Sequence, residues 1–441
     1  MNKILSTAWT FPIIAALLFH LPAQSQLTKQ IRNSTIDSML IRLQENYVFP
    51  DLATAMSEKI RLFQRQKKYD AITDGHKLAQ QLTQDLQSVS KDRHINVHYS
   101  EKPISADLKP MELPESEKEG YHQYLKNDNY GIGKVDILKG NIGYIDFKYL
   151  SAPEFAGHTY AAMMNYISHT EALIIDLRNC RGSTSPDAIP FLLSYFFENP
   201  VHLNDLHWRK GNEIHQSWTY AYVPGKKYTK QPIYVLTSAA TFSGAEEMAY
   251  DLQNLKRAVI MGEVTGGGAN PGGEIYITQH FSMFVPVGQA INPITKTNWE
   301  GVGVKPDSLM NARIALNRAR LAATRQVMSN TNDEGWKGYL QQVIHEIEKD
   351  APVYTDLRFV LKGYDSAKQV FVTGSFNNWS PNANPMKKEN GEWVLNVKAE
   401  TGKLTYKFIV DGEYMTDPGN PNTEADGNFV NSVIEVPGKR S

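Results

Sequence analysis

The 441-residue chain carries 46 basic against 47 acidic residues, a balance that excludes the charge-driven partners, nucleic acid and anionic membrane surfaces. Its length accommodates two or three domains at ~150 residues each. The single cysteine, Cys180, excludes an intramolecular disulfide, so packing must stabilise the fold.

Lys3 precedes an apolar run from Ile4 to Leu21, and Ala23-Gln24-Ser25 puts small residues at the minus-three and minus-one positions of a cleavage site. This predicts a signal peptide over 1–25, cut after Ser25, and an exported chain, periplasmic or secreted. A single-pass anchor is the competing reading. The run includes Thr, Ser and Pro, and no later stretch could span a bilayer, so no anchor is expected after cleavage.

In the mature chain Ile36, Met39, Leu40, Leu43 and Tyr47 recur at helical spacing. A second helix is predicted from Leu52 to about Gln66. A third starts at a Thr73 or Asp74 cap and carries Leu78, Leu82, Leu86 and Val89 on one stripe. DRHINVHYS then alternates as a strand, with Ile95, Val97 and Tyr99 on one face and His94 at its start. Read alone, His94 is a surface or structurally bonded histidine. These segments form a small helical domain over 26–105.

Residues 101–128 are polar and charged and read as a loop or crossing segment. From Tyr130 apolar strands alternate with helices: NIGYIDFKYL, FAGHTYAAMMNYISH, ALIIDLRNC, a helix over Ala188 to Phe197, a polar excursion from Asn199 to Lys230, then IYVLTSAATFSGAEEMAY. That order predicts an α/β layer with a mixed or mainly parallel sheet over 106–328. Ile233 to Leu236 form a buried strand and a helix begins at Ala245, so Ser243 and Gly244 stand at a helix N-terminus. Free N–H groups there can stabilise an oxyanion beside the hydroxyl, although a serine at this place also serves as a plain N-cap. No histidine or carboxylate cluster has metal-ligand spacing, and HWRKGNEIH reads as a solvated loop. Neither metal nor cofactor is expected.

A linker with an amphipathic helix, WKGYLQQVIHEIEK, occupies 329–353. Over 354–438 short alternating strands, LRFVLKGY, KQVFVTGSF, EWVLNVKA, LTYKFIVDG and NSVIEV, with Gly, Asn and Pro between them predict an immunoglobulin-like β-sandwich.

ALIIDLRNCRG, VLTSAATFSGAEEMAYDLQNLKRAVIMGEVTGGGANPGG and INPITKTNWEGVGVKPD resemble the catalytic core of the C-terminal-processing, or tail-specific, serine peptidases. The similarity is to the branch containing tricorn protease and interphotoreceptor retinoid-binding protein, and it spans roughly Asn33 to Thr324. It implies a crotonase-like, ClpP-related core in which Ser243 is the nucleophile and the Gly244 and Gly182 N–H groups are oxyanion donors. Processing proteases use a lysine at the place held here by Gly268, whereas the tricorn branch uses a histidine and a glutamate that match His94 and Glu300. Arg93 stands where tricorn has a second serine, and it is placed to pair with Glu300 and draw it from His94. Cys180 has no neighbour in sequence to hold a thiolate and is not the nucleophile.

VFVTGSFNNWSPNANPM, GEWVLNV, LTYKFIVDGEYMTDPGNP and GNFVNSVIEV are similar to the glycogen-binding module of AMP-activated kinase β subunits and starch-branching enzymes. The positions that match its glucan contacts are Trp379, Lys407, Tyr414 and Asn431. The expectation is an exported serine endopeptidase acting on peptides or unfolded protein tails; the sandwich either binds glucan or another carbohydrate or only braces its neighbour, with Trp379 and Lys407 then plain packing and surface residues. A non-catalytic binder of apolar ligands or peptides on the same fold is the rival.

Overall fold

Local signals start each helix of the N-terminal unit. In this computed structural model, which describes residues 27–108, 115–377, 379–381, 383–427 and 429–438, three helices come first: α1 (Lys29–Asn46), α2 (Pro50–Arg65) and α3 (Gly75–Ser90). Thr28 Oγ1 accepts the Ile31 N–H at 3.2 Å and Asp74 Oδ1 the Lys77 N–H at 2.8 Å, while α2 has proline in its first turn. Each device satisfies or removes a donor that a helix start leaves free. The predicted stripes, Ile36, Met39, Leu40 and Leu43 with Leu78, Leu82 and Leu86, are buried. The expected signal peptide lies outside the described residues. No described helix is long and apolar enough to cross a membrane.

The chain continues through β1 (Asn96–Tyr99), α4 (Glu115–Asn127), β2 (Ile132–Leu138), β3 (Ile142–Phe147), α5 (Pro153–Ile167), β4 (Ala172–Asp176), α6 (Ala188–Leu193), β5 (His202–Trp208), β6 (Glu213–Trp218) and β7 (Ile233–Thr237). It closes the core with α7 (Gly244–Asn254), β8 (Val259–Gly262), β9 (Gly272–Thr278), β10 (Phe281–Pro286), β11 (Gly288–Ile291), β12 (Ser308–Leu309) and α8 (Ala312–Asn330). The central sheet runs β12-β8-β7-β4-β3-β2 and is parallel except for the β2–β3 pair. Its side chains alternate between two apolar layers, which is why its strands read as continuous hydrophobic runs. Ile145, Leu173, Ile175 and Val235 pack with residues of α5, α6 and α7. Tyr144, Ile174, Tyr234 and Leu236 meet Ala315, Ala319 and Ala323 of α8 on the other side.

The N-terminal unit does not close on itself. β1 pairs with β10 in a sheet of order β1-β10-β9, and Ile275, Ile277, Met283 and Val285 join the helical stripes in one core. Several elements fall where the sequence indicated none. α4 lies in the predicted loop over 101–128, and the β5–β6 hairpin runs through the polar excursion, with HWRKGNEIH spanning its turn. β6 is almost wholly exposed, so it has no buried face from which an alternating pattern could be read.

After α9 (Glu334–Lys349), which packs on α8 through Leu321, Val343, Ile344 and Ile347, come β13 (Tyr354–Leu361), β14 (Val370–Gly374), β15 (Lys387–Glu389), β16 (Glu392–Glu400), β17 (Gly402–Val410), β18 (Glu413–Met415), β19 (Thr423–Asp426) and β20 (Phe429–Val436). They form antiparallel sheets β13-β16-β15 and β14-β17-β20-β19, with β18 on β17. A core of Phe359, Val372, Tyr406 and Phe408 fills the space between them, as a sandwich requires.

Candidate active site

β7 ends at Thr237, and the chain turns through Ser243 into α7. Ser243 has φ 54 and ψ −126, a conformation costing a non-glycine residue about 1–3 kcal/mol. The turn is held by Glu246, fully buried, whose carboxylate accepts the N–H groups of Ser243 at 2.9 Å, Gly267 at 2.6 Å and Gly268 at 2.8 Å, and the Thr265 hydroxyl at 2.5 Å. One side chain thus ties the serine turn to the glycine loop. Ser243-x-x-Glu246 is a capping-box spacing; that signal was present in the sequence, but only the fold shows the loop it grips. Gly182 lies against the same turn with φ +130, and a β-carbon there would sit 2.9 Å from Ser243 Cβ. Only glycine lets that backbone approach the hydroxyl so closely.

His94 precedes β1 and is buried, its ring 4.6 Å from that of Phe242 and 5.7 Å from that of Phe284. A β-carbon on Gly268 would stand 2.7 Å from His94 Cε1 and 2.3 Å from the Phe242 ring. The imidazole therefore occupies the space into which a residue-268 side chain would project. Gly268→Ala is expected to push the ring aside and slow labelling by a fluorophosphonate serine probe about 100-fold, read as the second-order rate on folded protein.

Glu300 reaches the site from a segment stapled to the glycine loop. Buried Trp299 donates Nε1–H to the Gly268 carbonyl at 2.8 Å, the Gly301 N–H meets the Gly267 carbonyl at 2.9 Å, and Glu300 Oε2 accepts the Ala269 N–H at 2.6 Å. Asp92, which the sequence reading did not single out, completes the cluster. Its Oδ1 accepts the His94 N–H at 3.0 Å and stands 3.8 Å from His94 Nδ1, and its Oδ2 is held by the Tyr47 hydroxyl at 3.2 Å and Asn270 at 3.4 Å. The ligating atoms of Asp92, His94 and Glu300 all lie within 4.8 Å of one another.

Arg93 does not pair with Glu300 as anticipated. Its guanidinium donates to the Gly266 carbonyl at 2.8 Å and lies 5.4 Å from the Phe242 ring. That contact satisfies the group at the surface without the cost of burying its charge. Cys180 is fully buried and burial pushes its thiol up to about 12, which leaves it un-ionised.

Burial, assisted by the charge of Arg93, lowers His94 to about 4. Burial and the neighbouring charge of Asp92 raise Glu300 to about 8, and burial also raises Asp92. His94 is therefore a neutral base through neutral pH. The acidic limb of probe labelling should fall near pH 4 rather than near the ordinary 6.5. Loss of the Glu300 proton near 8 adds negative charge beside the imidazole and strengthens the base, so labelling should rise again there. A rate profile from about pH 4 to 9 reads both limbs.

On the sandwich, Lys407 lies opposite Thr373, Ile409 opposite Tyr414, and Asn431 opposite Glu424. With Tyr406 opposite Ser432, Lys407 falls beside Asn431, so Lys407, Tyr414 and Asn431 share the outer face of one sheet, since cross-strand partners point the same way. Asn431 is buried there, Tyr414 is exposed, and the Lys407 ammonium sits 5.4 Å from the exposed Phe429 ring. Trp379, half-buried with φ 57, is in the loop after β14, and its N–H reaches the Gly374 carbonyl at 3.0 Å.

Three stretches of the chain match known protein families. Residues 141–310 match peptidase family S41, residues 26–128 match the N-terminal domain of that family as found in eukaryotic IRBP, and residues 357–441 match the glycogen recognition site of AMP-activated protein kinase. Human 5'-AMP-activated protein kinase subunit beta-2 is 30% identical over 101 residues, covering 23% of this chain and 35% of that protein. The chloroplastic protein PTST homolog 2 of Arabidopsis thaliana is 41% identical over 72 residues, 16% of this chain and 13% of that one. The chain thus spans about a third or less of the length of these curated relatives. Among solved structures, a lipoprotein from Streptococcus agalactiae aligns with TM-score 0.46 at 14% identity over 67% of this chain and 96% of its own. The photosystem II D1 C-terminal processing protease aligns with TM-score 0.40 at 12% identity over 65% and 94%. The assignment of these stretches rests on the family models. Residues 141–310 therefore form a domain of peptidase family S41, the serine-type peptidases, preceded by that family's N-terminal domain and followed by a domain similar to the glycogen-recognition module.

Proposed function

We propose that the protein is an exported serine endopeptidase that cleaves peptides or unfolded protein tails through Ser243, His94 and Glu300, without a cofactor. The observation that carries this reading is a buried imidazole in the space beside Gly268, on a glycine loop that the Glu246 carboxylate ties to the strained turn of Ser243 at a helix start. His94 Nε2 takes the Ser243 proton as Oγ bonds to the scissile carbonyl carbon. The Gly244 and Gly182 N–H groups receive the oxyanion. The C–N bond then breaks, the imidazolium returns the proton to the leaving amine, and water hydrolyses the ester by the same route. Asp92, 3.8 Å from Nδ1, and Glu300, in the same cluster, stabilise the imidazolium. Export rests on the leader-like composition of residues 1–25.

Labelling with a fluorophosphonate probe, followed by intact mass, tests the assignment. Wild type should gain one adduct that Ser243→Ala and His94→Ala both lose. Folded wild type that stays unlabelled would turn the reading toward a non-catalytic binder.

A second reading concerns the sandwich, where the exposed ring of Tyr414 shares a sheet face with Lys407 and Asn431, and Trp379 stands in the loop after β14. We infer that this face binds glucan, a flat ring stacking on the apolar face of a sugar. Trp379→Ala should weaken soluble-glucan retardation in a native gel by about fivefold, equivalent to ~1 kcal/mol of aromatic contact. Equal retardation of the two proteins would leave the sandwich as a brace.

A further inference from the structure

We propose that Asp92, His94 and Glu300 also form a site for one divalent transition-metal cation, zinc being the best chemical match, and that its occupancy switches the hydrolase off. The binding half stands on geometry alone; the inhibitory half rests on His94 being the catalytic base. Linear spacing conceals the site, because Glu300 comes from a distant segment.

Three observations converge. The ligating atoms lie within 4.8 Å of one another, with His94 Nδ1 and Asp92 Oδ1 at 3.8 Å. Tetrahedral zinc at bonds of about 2.0–2.2 Å holds its donors roughly 3.3–3.5 Å apart, so small side-chain movements complete the cage. Two of the donors, His94 Nδ1 and Glu300 Oε1, are buried without a hydrogen-bond partner, and buried lone pairs left over in this way are costly. No lysine or arginine pairs with either carboxylate among the described residues; Arg93 is spent on Gly266 and Phe242.

The supporting contacts are those of a metal site. Tyr47 and Asn270 fix the other oxygen of Asp92, and the Ala269 N–H fixes the other oxygen of Glu300. Such partners orient ligands and tune affinity. One imidazole and two carboxylates give three protein ligands and leave a fourth position to water, a set that suits zinc.

Occupancy and catalysis exclude each other through the tautomer. A metal on Nδ1 needs the lone pair there, which places the ring proton on Nε2. An Nε2–H cannot accept the Ser243 proton.

The test uses the full mature chain, stripped with EDTA and titrated with zinc chloride against a chromophoric zinc chelator. One zinc per chain is expected, and Glu300→Gln and Asp92→Asn should each weaken it by at least about tenfold, the smallest effect typical even of an outer partner. His98→Ala, which removes an exposed histidine paired with Glu274 at 2.7 Å, should leave it unchanged. Wild-type probe labelling should fall over the same zinc range and return with EDTA. The proposal is overturned if binding survives both carboxylate variants, if it is lost with His98→Ala, or if labelling proceeds at full rate in zinc. A wild type that never labels, yet binds a zinc that the carboxylate variants lose, would keep the cation site and sink the hydrolase reading. Unchanged thermal transitions of the isosteric variants separate ligand loss from misfolding.

Discussion

Ser243→Ala is expected to lower kcat/KM on an unstructured peptide by about 10⁴–10⁶-fold, with His94→Ala costing a similar factor and the double variant no more than either. The reason is that the two side chains perform one act. A serine hydroxyl is a poor nucleophile until a base within reach takes its proton, and an imidazole without the hydroxyl has nothing to activate. The residual rate would come from oxyanion donors and substrate binding, which neither substitution touches. Retention of activity within about tenfold in Ser243→Ala would refute the assignment, whereas additive losses would mean that His94 acts on something other than Ser243.

Glu246→Ala should destabilise the protein by about 4 kcal/mol and lower its melting temperature by about 8–15 °C. The fully buried carboxylate accepts from Ser243, Gly267, Gly268 and Thr265, and alanine leaves all four donors unpaired in a space that water enters poorly. Burial raises the carboxyl, while those hydrogen bonds pull the other way by favouring its charged form. Glu246→Gln keeps one carbonyl acceptor but brings an amide donor toward N–H groups, so it should fall between wild type and alanine. Probe labelling should drop in both variants, since the strained serine turn and the loop beside His94 lose their common anchor. A circular-dichroism melt of Glu246→Ala within about 2 °C of wild type would show that the clamp contributes little.

Helical periodicity marked Ile36 to Leu43 and Leu78 to Leu86, alternation marked the sandwich strands, and the strand–turn–helix around Ser243 was legible because burial on one face imposes a local repeat. α4 and β6 left no such repeat; both are polar and mostly exposed, and exposed residues are free of the period that a buried face demands. The class of chemistry, a serine-type peptidase, was legible because several motifs follow one another along the chain in the order of that family. Tertiary structure alone decided what surrounds them: that Asp92 joins His94, that Glu246 grips the glycine loop, that Arg93 turns to Gly266, and that a hairpin from the core completes the N-terminal unit. Those contacts link residues far apart in the chain, and which partner a charged or buried group meets depends on packing and desolvation across segments that no local pattern records.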